Sequence, residues 1–463
     1  MFELQNDRPQ LLEQIEELLY RKRYAELRDL LLPMEAADIA SLCSELGRHG
    51  EKVPLVFRLL PKELAAEVFV ELDSDEQELL ITSFSNTELK EVLDELYLDD
   101  TVDIVEEMPA NVVKRILQHS DPEMRKSINE VLKYPEDSAG SIMTTEFVDL
   151  KENMTVEDAL KRIRRTGPDK ETINICYVID DGRHLLGVLS IRTILLAEEN
   201  DVIGDIMERN LISVQTMDDQ EAVARALGKY DLLALPVVDR EDRLVGIVTV
   251  DDAIDVLQEE VTEDIEKMAA ILPTDKPYLK TGIFETFKAR IPWLLLLMIS
   301  ATFTGQIISS FESALAAFTV LTAYIPMLMD SGGNCGSQAS VTVIRGISLG
   351  EISFSDLFRV IWKEIRVAVI CGVTLAAANF VKLMLIDRLL FRNEMVTVPV
   401  AIVICCTLVC TVLCAKLVGC TLPLLAKRLG FDPAVMASPF ITTIVDAISL
   451  LIYFSFASAV LGL

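Results

Sequence analysis

Basic residues are scarce in this sequence relative to acidic ones. Its 463 residues include 43 lysines and arginines against 72 aspartates and glutamates, which gives a net charge of −29. Nucleic acids attract basic proteins, so this balance argues against a nucleic-acid partner and is compatible with a protein that collects cations. Well-solvated surfaces are also acidic, so composition alone leaves both interpretations open.

Motifs for nucleotide hydrolysis, zinc binding and secretion are missing as well. The sequence contains no Walker loop and no G-x-G-x-x-G, so nothing in it indicates an enzyme that hydrolyses nucleotides. None of the nine cysteines has the spacing of a zinc site. The first ten residues, MFELQNDRPQ, hold no apolar run, so we expect no signal peptide and a front half that stays in the cytoplasm.

The apolar residues, 51% of the chain, are unevenly spread. From residue 281 onward the chain has 10 acidic and 12 basic residues, which leaves 62 acidic and 31 basic residues in the first 280. Five apolar segments occur in the second part, at about 290–311, 314–343, 360–386, 397–425 and 434–462. Since roughly 20 helical residues cross a bilayer, the sequence predicts an all-α, five-helix membrane domain over 281–463.

Basic residues around these segments predict their orientation. Nine lie on the side of the N-terminal half and two on the other. Because cytoplasmic loops are enriched in lysine and arginine, we expect a multi-pass protein of the plasma membrane with a cytoplasmic N-terminal half and an external C-terminus.

The last apolar segment carries one carboxylate, Asp446, in its middle. An acid at that depth costs at least about 2.5 kcal/mol, so it persists only where it faces water, a partner or a passing ion. Nearby hydroxyls at helical spacing favour a cation pathway: Ser438, Thr442, Thr443 and Ser449. The alternative is a structural hydrogen bond to a neighbouring helix.

The second apolar segment contains the polar run LMDSGGNCGSQAS. Small residues spaced by four, Gly332, Gly336 and Ser340, predict close helix packing, although Gly332 and Gly333 are also compatible with a broken helix. Packing does not explain the polar side chains at membrane depth, which are Asp330, Asn334, Ser337 and Gln338.

Residues 1–133 predict an α-superhelical N-terminal domain. Apolar residues recur at helical spacing, and short breaks occur at 31–40, 59–68, 84–93 and 108–117, about 25 residues apart. Within it Asp99, Asp103 and Glu106 share one helical face, where like charges repel each other. This face is either solvated or meets a cation or a basic partner.

A pattern of short strands and helices occurs twice between residues 138 and 260. Ile142-Met143 recurs as Ile206-Met207, and INICYVIDDGRHLLGVLSIRTIL matches LLALPVVDREDRLVGIVTVDDAI. The two halves, 138–200 and 201–260, resemble a tandem α+β CBS pair. The resemblance implies a sensor module that often binds an adenine nucleotide through the acid of a G-h-h-S/T-x-x-D element. Asp252 has that acid, whereas the first copy has Arg192 and Thr193 at this turn, so we expect ATP to bind weakly at most.

The second copy continues into a connecting segment, 251–280, that begins as a helix with two faces. One face is apolar and includes Ile254, Leu257, Val261, Ile265 and Met268. The other is acidic and includes Asp252, Asp255, Glu259, Glu263 and Glu266, widened by Glu260 and Asp264. The base close to this face is Lys267, near the end of the helix. Because most of these acids lack a compensating base, we expect other acids to repel this face.

Taken in order, these modules resemble the MgtE family of magnesium channels over essentially the full length. The resemblance implies a homodimer with the pore on the dimer axis, an acid of the last helix from each subunit at the selectivity ring, and cytosolic Mg²⁺ sites that close the pore. Asp446 matches that acid. The resemblance also implies that Ser438, Thr442 and Asn334 line the pore.

We therefore expect cytosolic Mg²⁺ to bridge the acidic face of the connecting helix to other acids. The candidates on the helix are Asp252, Asp255, Glu259, Glu260, Glu263 and Asp264. The candidates opposite them are Asp99 and Asp103 or, alternatively, Asp219, Glu221 and Asp231. Two other functions stay open, a membrane-anchored CBS sensor that regulates another transporter and a gradient-coupled divalent-cation transporter.

Overall fold

The structure is a computed structural model that describes residues 4–46, 52–274, 278–279, 281–436 and 438–461. Within these ranges it does not describe the side chains of residues 4–8, 313, 314, 317 and 438. The chain divides into two compact units, Met1–Leu257 and Gln258–Leu463.

The first unit begins with a stack of short helices, as predicted. Four of them start within the predicted breaks, because proline or serine there ends one helix and leads into the next. At one start, Ser85 accepts from the backbone N–H of Glu88 at 3.2 Å while Glu88 accepts from that of Ser85 at 2.7 Å. The helices are α1 (Leu4–Tyr20), α2 (Tyr24–Leu31), α3 (Ala36–Leu46), α4 (Val53–Phe57), α5 (Lys62–Val70), α6 (Ser74–Ser83), α7 (Asn86–Leu93), α8 (Leu98–Glu107), α9 (Ala110–His119) and α10 (Pro122–Val131).

Two small sheets follow, one for each predicted repeat. In each sheet a parallel pair of strands is extended by an antiparallel pair, in the orders β1-β2-β3 and β4-β5-β6. The strands are β1 (Phe147–Leu150), β2 (Thr172–Ile179), β3 (Leu185–Ser190), β4 (Val214–Gln215), β5 (Ala234–Val238) and β6 (Leu244–Thr249). The intervening helices are α11 (Val156–Thr166), α12 (Ile191–Leu196), α13 (Ile203–Ile206) and α14 (Gln220–Tyr230).

The repeated Ile-Met pair marks an exchange between the two repeats. Thr144, which follows the first pair, bridges to Ile247 of the second sheet, and Glu208 after the second pair bridges to Val188 of the first sheet. Each methionine then packs on a glycine of the other repeat: a Cβ at Gly246 would lie 2.6 Å from the Met143 sulfur. Neither repeat is therefore complete without the other.

Helix α15 (Val250–Met268) runs without interruption across the boundary between the units. Its buried residues are Ala253 and Val256, whereas the predicted apolar face is exposed along most of its length. Ile254, Val261 and Ile265 are 58%, 59% and 59% exposed. An apolar stripe of this size on one chain is typical of an interaction surface.

The second unit is helical, in agreement with the predicted fold class. Among the residues that the structure describes, four helical segments are long and apolar enough to cross a membrane: Ile283–Ser310, Phe354–Leu390, Val398–Arg428 and Ala434–Leu461. The helices are α16 (Ile283–Ser310), α17 (Glu312–Ala317), α18 (Ile325–Ser348), α19 (Leu357–Lys382), α20 (Val398–Arg428) and α21 (Ser438–Leu461), and α19 continues as a π-helix over Leu383–Leu390.

Helix α18 corresponds to the second predicted segment, 314–343, but it starts later. Residues 312–324 form the short α17 and a 3-10 turn, and α18 begins at Ile325 with Pro326 in its first turn, a position that proline favours. Because of its polar run, α18 is not among the helices of the described part of the chain that are apolar enough to be candidate membrane spans.

Glycines bring α18 into contact with its neighbours. The helix is unbroken at Gly332 and Gly333, so the packing interpretation of the sequence is correct and the broken helix is not found. A Cβ at Gly332 would lie 2.7 Å from Thr411 of α20, and a Cβ at Gly419 would lie 2.2 Å from the Gly336 carbonyl oxygen. Helices α18 and α20 thus pack backbone to backbone.

Candidate cation sites

Helix α8 holds one buried acid, Asp99, beside the half-buried Asp100 and the exposed Asp103. Leu98 and Val102 pack against Ile128 and Val131 of α10, which fixes the rotation of α8. Asp99 is then only 7% exposed, and its Oδ1 accepts from the backbone N–H of Asp100 at 3.1 Å. A buried carboxylate with a single such bond is costly unless a cation or a proton compensates it.

The start of α15 brings a further acid to α8. Asp252 accepts from both the hydroxyl and the backbone N–H of Thr249, at the end of β6. These bonds hold the carboxylate so close to α8 that, after burial, its charge is the next cause that raises the pKa values of Asp99, Asp100 and Asp103. Asp252 therefore meets the first of the two predicted groups of partners.

Two glutamates that sequence reasoning missed belong to the same group. Glu146 and Glu171 each have one buried carboxylate oxygen with no hydrogen-bond partner in the described part of the chain. Glu146 also accepts from the backbone N–H of Leu98, at the start of α8. Each is a single glutamate beside a strand, so no pattern in the sequence marked it. Only the tertiary structure brings it close to Asp100 of α8. We call Asp99, Asp100, Asp103, Glu146, Glu171, Asp251 and Asp252 the acidic cluster.

Burial and mutual repulsion dominate the electrostatics of the acidic cluster. Burial first, and neighbouring acids second, raise the pKa values of Asp100, Asp103 and Glu171 to about 7. The same two causes raise the pKa of Asp99 well above its ordinary value. Burial also raises the pKa of Glu146, and the positive charge of Lys170 partly lowers it again. The cluster is therefore expected to take up protons or cations near neutral pH.

The acidic cluster is not a ready-made coordination sphere. Among the described residues no three aspartate, glutamate, histidine or cysteine side chains converge closely enough to hold a metal ion directly. Mg²⁺ loses its water reluctantly and is usually held by one or two carboxylates with several waters retained. A loose group of acids fits a hydrated Mg²⁺ better than it fits a tightly coordinated metal.

The alternative partners of the connecting helix have structural roles. Asp219 caps α14 by accepting from the backbone N–H of Glu221 at 2.9 Å. Glu221 forms an ion pair with Arg225 at 3.1 Å. Asp231 ends the helix in a left-handed conformation with φ 52°. The Asp219 and Glu221 carboxylates therefore have partners within α14, and Asp231 serves the helix end through its backbone.

The acids along α15 are divided between different environments. Burial raises the pKa of Asp255, and the charge of Asp251 adds to this. Glu259 is exposed and Glu260 half-buried. Farther along, Glu263 pairs with Lys267 at 2.5 Å, Lys267 pairs with Asp432 at 2.6 Å, and Asp264 accepts from the Ser348 hydroxyl at 3.1 Å. The last turns of α15 therefore contact the end of α18 and the loop before α21.

The candidate nucleotide residues lie at the turn between β3 and α12. The Thr193 hydroxyl is 2.8 Å from that of Ser190, which also caps α12. Thr249 and Asp252 form the corresponding turn of the second repeat. Arg192 is exposed. The first repeat thus offers hydroxyls and one arginine where the second offers a carboxylate.

Asp446 lies in α21, two turns after its start at Ser438, whose side chain lies outside the described residues. Its Oδ1 is buried and has no hydrogen-bond partner in the described part of the chain. The structural hydrogen bond considered above is therefore not found for this oxygen. Asp330 of α18 is near enough for its charge to act on Asp446.

The hydroxyls around Asp446 differ in their contacts. Thr443 and Ser449 donate to carbonyls one turn earlier in their own helix, at 3.1 and 2.6 Å, so they contribute little to an ion path. Thr442 packs against Gly333, where a Cβ would lie 2.9 Å from its methyl carbon. Thr442 therefore stands at the contact of α21 with α18.

One face of α18 is polar and exposed. It carries Asp330, Asn334, Gln338 and Arg345, while the opposite face, with Gly332 and Gly336, is buried against α20 and α21. Carboxylate and amide groups at membrane depth do not persist against lipid hydrocarbon. This face is therefore suited to water, ions or a second copy of the chain.

Comparisons with known proteins identify the family of the chain. Three family models match: MgtE, a divalent cation transporter, at residues 325–456; the MgtE intracellular N domain at 13–137; and the CBS domain at 139–200 and 203–259. The magnesium transporter MgtE of Thermus thermophilus is 39% identical, with 96% of this chain and 98% of the relative covered. Its namesake in Bacillus subtilis is 32% identical, with 96% and 95% covered.

A solved structure matches about half of the chain. The cytosolic domain of the Mg²⁺ channel MgtE in complex with ATP is 40% identical and has a TM-score of 0.50, covering 53% of this chain and 99% of that one. Together with the relatives that align over nearly the whole length, this match confirms the recognition made from the sequence. The chain belongs to the MgtE family of magnesium transporters.

Proposed function

We propose that the protein is a Mg²⁺ channel of the plasma membrane and that its pathway runs past Asp446. The observation that carries the proposal is the buried oxygen of Asp446, which has no hydrogen-bond partner among the described residues and lies near Asp330 on the polar face of α18. Mg²⁺ keeps most of its water in protein sites, so a carboxylate with amide and hydroxyl neighbours suits a hydrated ion. We include Asn334, Thr442 and Ser438 in this pathway.

We infer that two copies of the chain form the pore. In a single copy the polar face of α18 is exposed at membrane depth, and a second copy related by a twofold axis would cover it and supply a second Asp446. The exposed apolar stripe of α15 supports the same conclusion for the cytoplasmic side. The N-terminal half then lies in the cytoplasm and the C-terminus outside.

We further propose that cytosolic Mg²⁺ closes the channel through the acidic cluster. Mg²⁺ replaces repulsion among Asp99, Asp103 and Asp252 by shared coordination, so it binds the compact arrangement preferentially and shifts the population toward it. The signal would pass along α15, whose last turns contact Ser348 and Asp432. This proposal keeps the domain boundaries that the sequence predicts, in which residues 251–280 connect the CBS pair to the membrane domain.

The test is ion uptake by the purified chain in liposomes, with each divalent cation in turn and at two internal Mg²⁺ concentrations. Uptake of Mg²⁺ that falls as internal Mg²⁺ rises is the expected result. A chain that acts only as a sensor for another transporter would give no uptake by itself. Uptake that requires a proton or sodium gradient would indicate a secondary transporter.

A further inference from the structure

A buried ion pair lies inside the membrane unit, on helices other than the one that carries Asp446. Lys416 Nζ of α20 is 3.4 Å from Glu364 Oε2 of α19, and the two side chains are 7% and 12% exposed. Both residues belong to candidate membrane spans. Ionised side chains at such positions are expensive and usually have a functional role.

The pair lies directly behind the pore-facing helix. A Cβ at Gly336 of α18 would be 3.2 Å from the Ala415 carbonyl oxygen, and one at Gly419 would be 2.2 Å from the Gly336 carbonyl oxygen. Lys416 follows Ala415 and precedes Gly419 by one turn, so it stands at this crossing. Its charge also acts on Cys335 of α18.

The polar face of α18 points the other way. Asn334 and Gln338 are each two residues from Gly336, which places them about 160° around the helix from it. They are exposed while Gly336 is buried. The Lys416 ammonium group therefore lies roughly one helix diameter, about 10 Å, from the proposed pathway. At this distance, through protein with few compensating charges, an unpaired lysine would repel a passing cation.

We propose that Glu364 is a charge-compensating residue of the cation pathway, which neutralises Lys416 behind α18 and so keeps the pathway permeable to divalent cations. This inference rests on the proposed pore. It predicts a dependence on ion valence, because the interaction energy with a fixed charge is twice as large for Mg²⁺ as for Na⁺. The factor by which the Mg²⁺ current falls should be the square of the factor by which the Na⁺ current falls.

The experiment records single-channel currents of Mg²⁺ and, in solutions free of divalent cations, of Na⁺. Glu364→Gln leaves Lys416 uncompensated and should lower the Na⁺ current about threefold and the Mg²⁺ current about tenfold. Lys416→Met leaves the opposite charge, so its Mg²⁺-to-Na⁺ current ratio should equal or exceed that of the parent. The double variant should return to the parent ratio. Glu351→Gln, at an exposed glutamate after α18, is the matched control.

A merely structural ion pair gives a different pattern. It would reduce the number of active channels in both single variants and leave the conductance and the current ratio of each open channel unchanged, which would overturn the inference. An unchanged Glu364→Gln variant would overturn it as well. If the parent chain itself passed no Mg²⁺ current, the proposed pore would fail, and this inference would fail with it.

Discussion

At the scale of single residues, the acid in the last helix was predictable and its surroundings were not. A lone carboxylate in an apolar run is conspicuous in any sequence. By contrast, Glu146 and Glu171 are ordinary glutamates beside strands, and Glu364 and Lys416 lie 52 positions apart on different helices. What makes these four residues notable is burial and proximity, which depend on tertiary contacts and leave no local pattern in the sequence.

Replacing Asp446 by alanine should reduce Mg²⁺ uptake into liposomes at least about tenfold, the effect of losing roughly 1.4 kcal/mol of ion stabilisation. The variant should still fold, because the affected oxygen makes no hydrogen bond in the described part of the chain. Size-exclusion chromatography and thermal unfolding would verify this. Ser455→Ala, at an exposed hydroxyl in the same helix, is the control. Uptake at the parent rate would contradict the pore assignment.

ATP should bind weakly, because Thr193 lacks the carboxylate that would accept from both ribose hydroxyls. Thr193→Asp supplies it and should strengthen binding about tenfold or more, since a hydrogen bond to a charged group contributes about 1.5–3 kcal/mol. Isothermal titration of both proteins with ATP measures the difference. Tight binding by the parent that is lost when Arg192 or Thr193 is changed would contradict this prediction.

At the scale of elements, hydrophobic periodicity and turn residues predicted most helices and strands. The four helices after the predicted breaks and both sheets follow local signals such as proline, serine caps and paired strand patterns. The start of α18 was predicted too early, because residues 314–324 are apolar and a short helix cannot be distinguished from the beginning of a long one by composition. The π-helix at the end of α19 also had no sequence signal.

The crossing of α18 and α20 should tolerate no added side chain. Gly419→Ala would bring a methyl group 2.2 Å from a backbone carbonyl oxygen, and overpacking of this kind costs about 1–3 kcal/mol. We expect a lower thermal unfolding temperature in detergent. Gly305→Ala is the matched control, because nothing lies within 4 Å of the added Cβ. Equal stability of the two variants would show that the helices separate easily.

The acidic cluster should make Mg²⁺ binding depend on pH. In the compact state the pKa values of Asp100, Asp103 and Glu171 are raised to about 7, above the value of about 4 for a free carboxyl group. The compact state therefore binds protons more strongly, and the stability that this provides is lost as the pH rises through about 7. Mg²⁺ should compensate for this loss.

Thermal unfolding of the full chain in detergent tests this linkage. The rise in unfolding temperature caused by Mg²⁺ should be larger at about pH 8 than at about pH 6, where protons already neutralise part of the cluster. Asp252→Asn should reduce the difference between the two pH values. An Mg²⁺ effect that is equal at both would be incompatible with a cation site at these acids.

At the scale of the whole molecule, the order of the modules identified the MgtE family from the sequence. The relatives that align over 96% of the chain confirm this family. The sequence also predicted that acids of α15 would meet other acids. It did not distinguish between the two groups of partners, because both were acidic. The structure brings Asp252 close to α8, whereas Asp219 caps α14 and Glu221 pairs with Arg225. This difference depends on tertiary contacts.

Neutralising Asp252, Asp255, Glu259 and Glu263 together should remove the response of the channel to internal Mg²⁺. Patch recordings over a range of internal Mg²⁺ concentrations would measure it. Asp252→Asn alone should give most of the effect, whereas Glu263→Gln should give less because Glu263 already pairs with Lys267.

The control for this set is four exposed acids changed in the same way: Glu123, Asp181, Glu199 and Glu241. These changes remove the same number of negative charges from the surface. If the variant with four neutralised acids on α15 closed at the same internal Mg²⁺ concentration as the parent, the acidic cluster would be excluded as the site that senses Mg²⁺.

The exchange between the two repeats has a consequence for how the chain is made. Thr144 can form its β-bridge only after Ile247 has been synthesised. The first repeat therefore stays incomplete while 103 more residues are added to the chain. The first membrane helix starts at Ile283, which at 5–20 residues per second is only about 2–7 seconds later. Completion of the paired repeats and entry of the chain into the membrane should therefore nearly coincide on the ribosome.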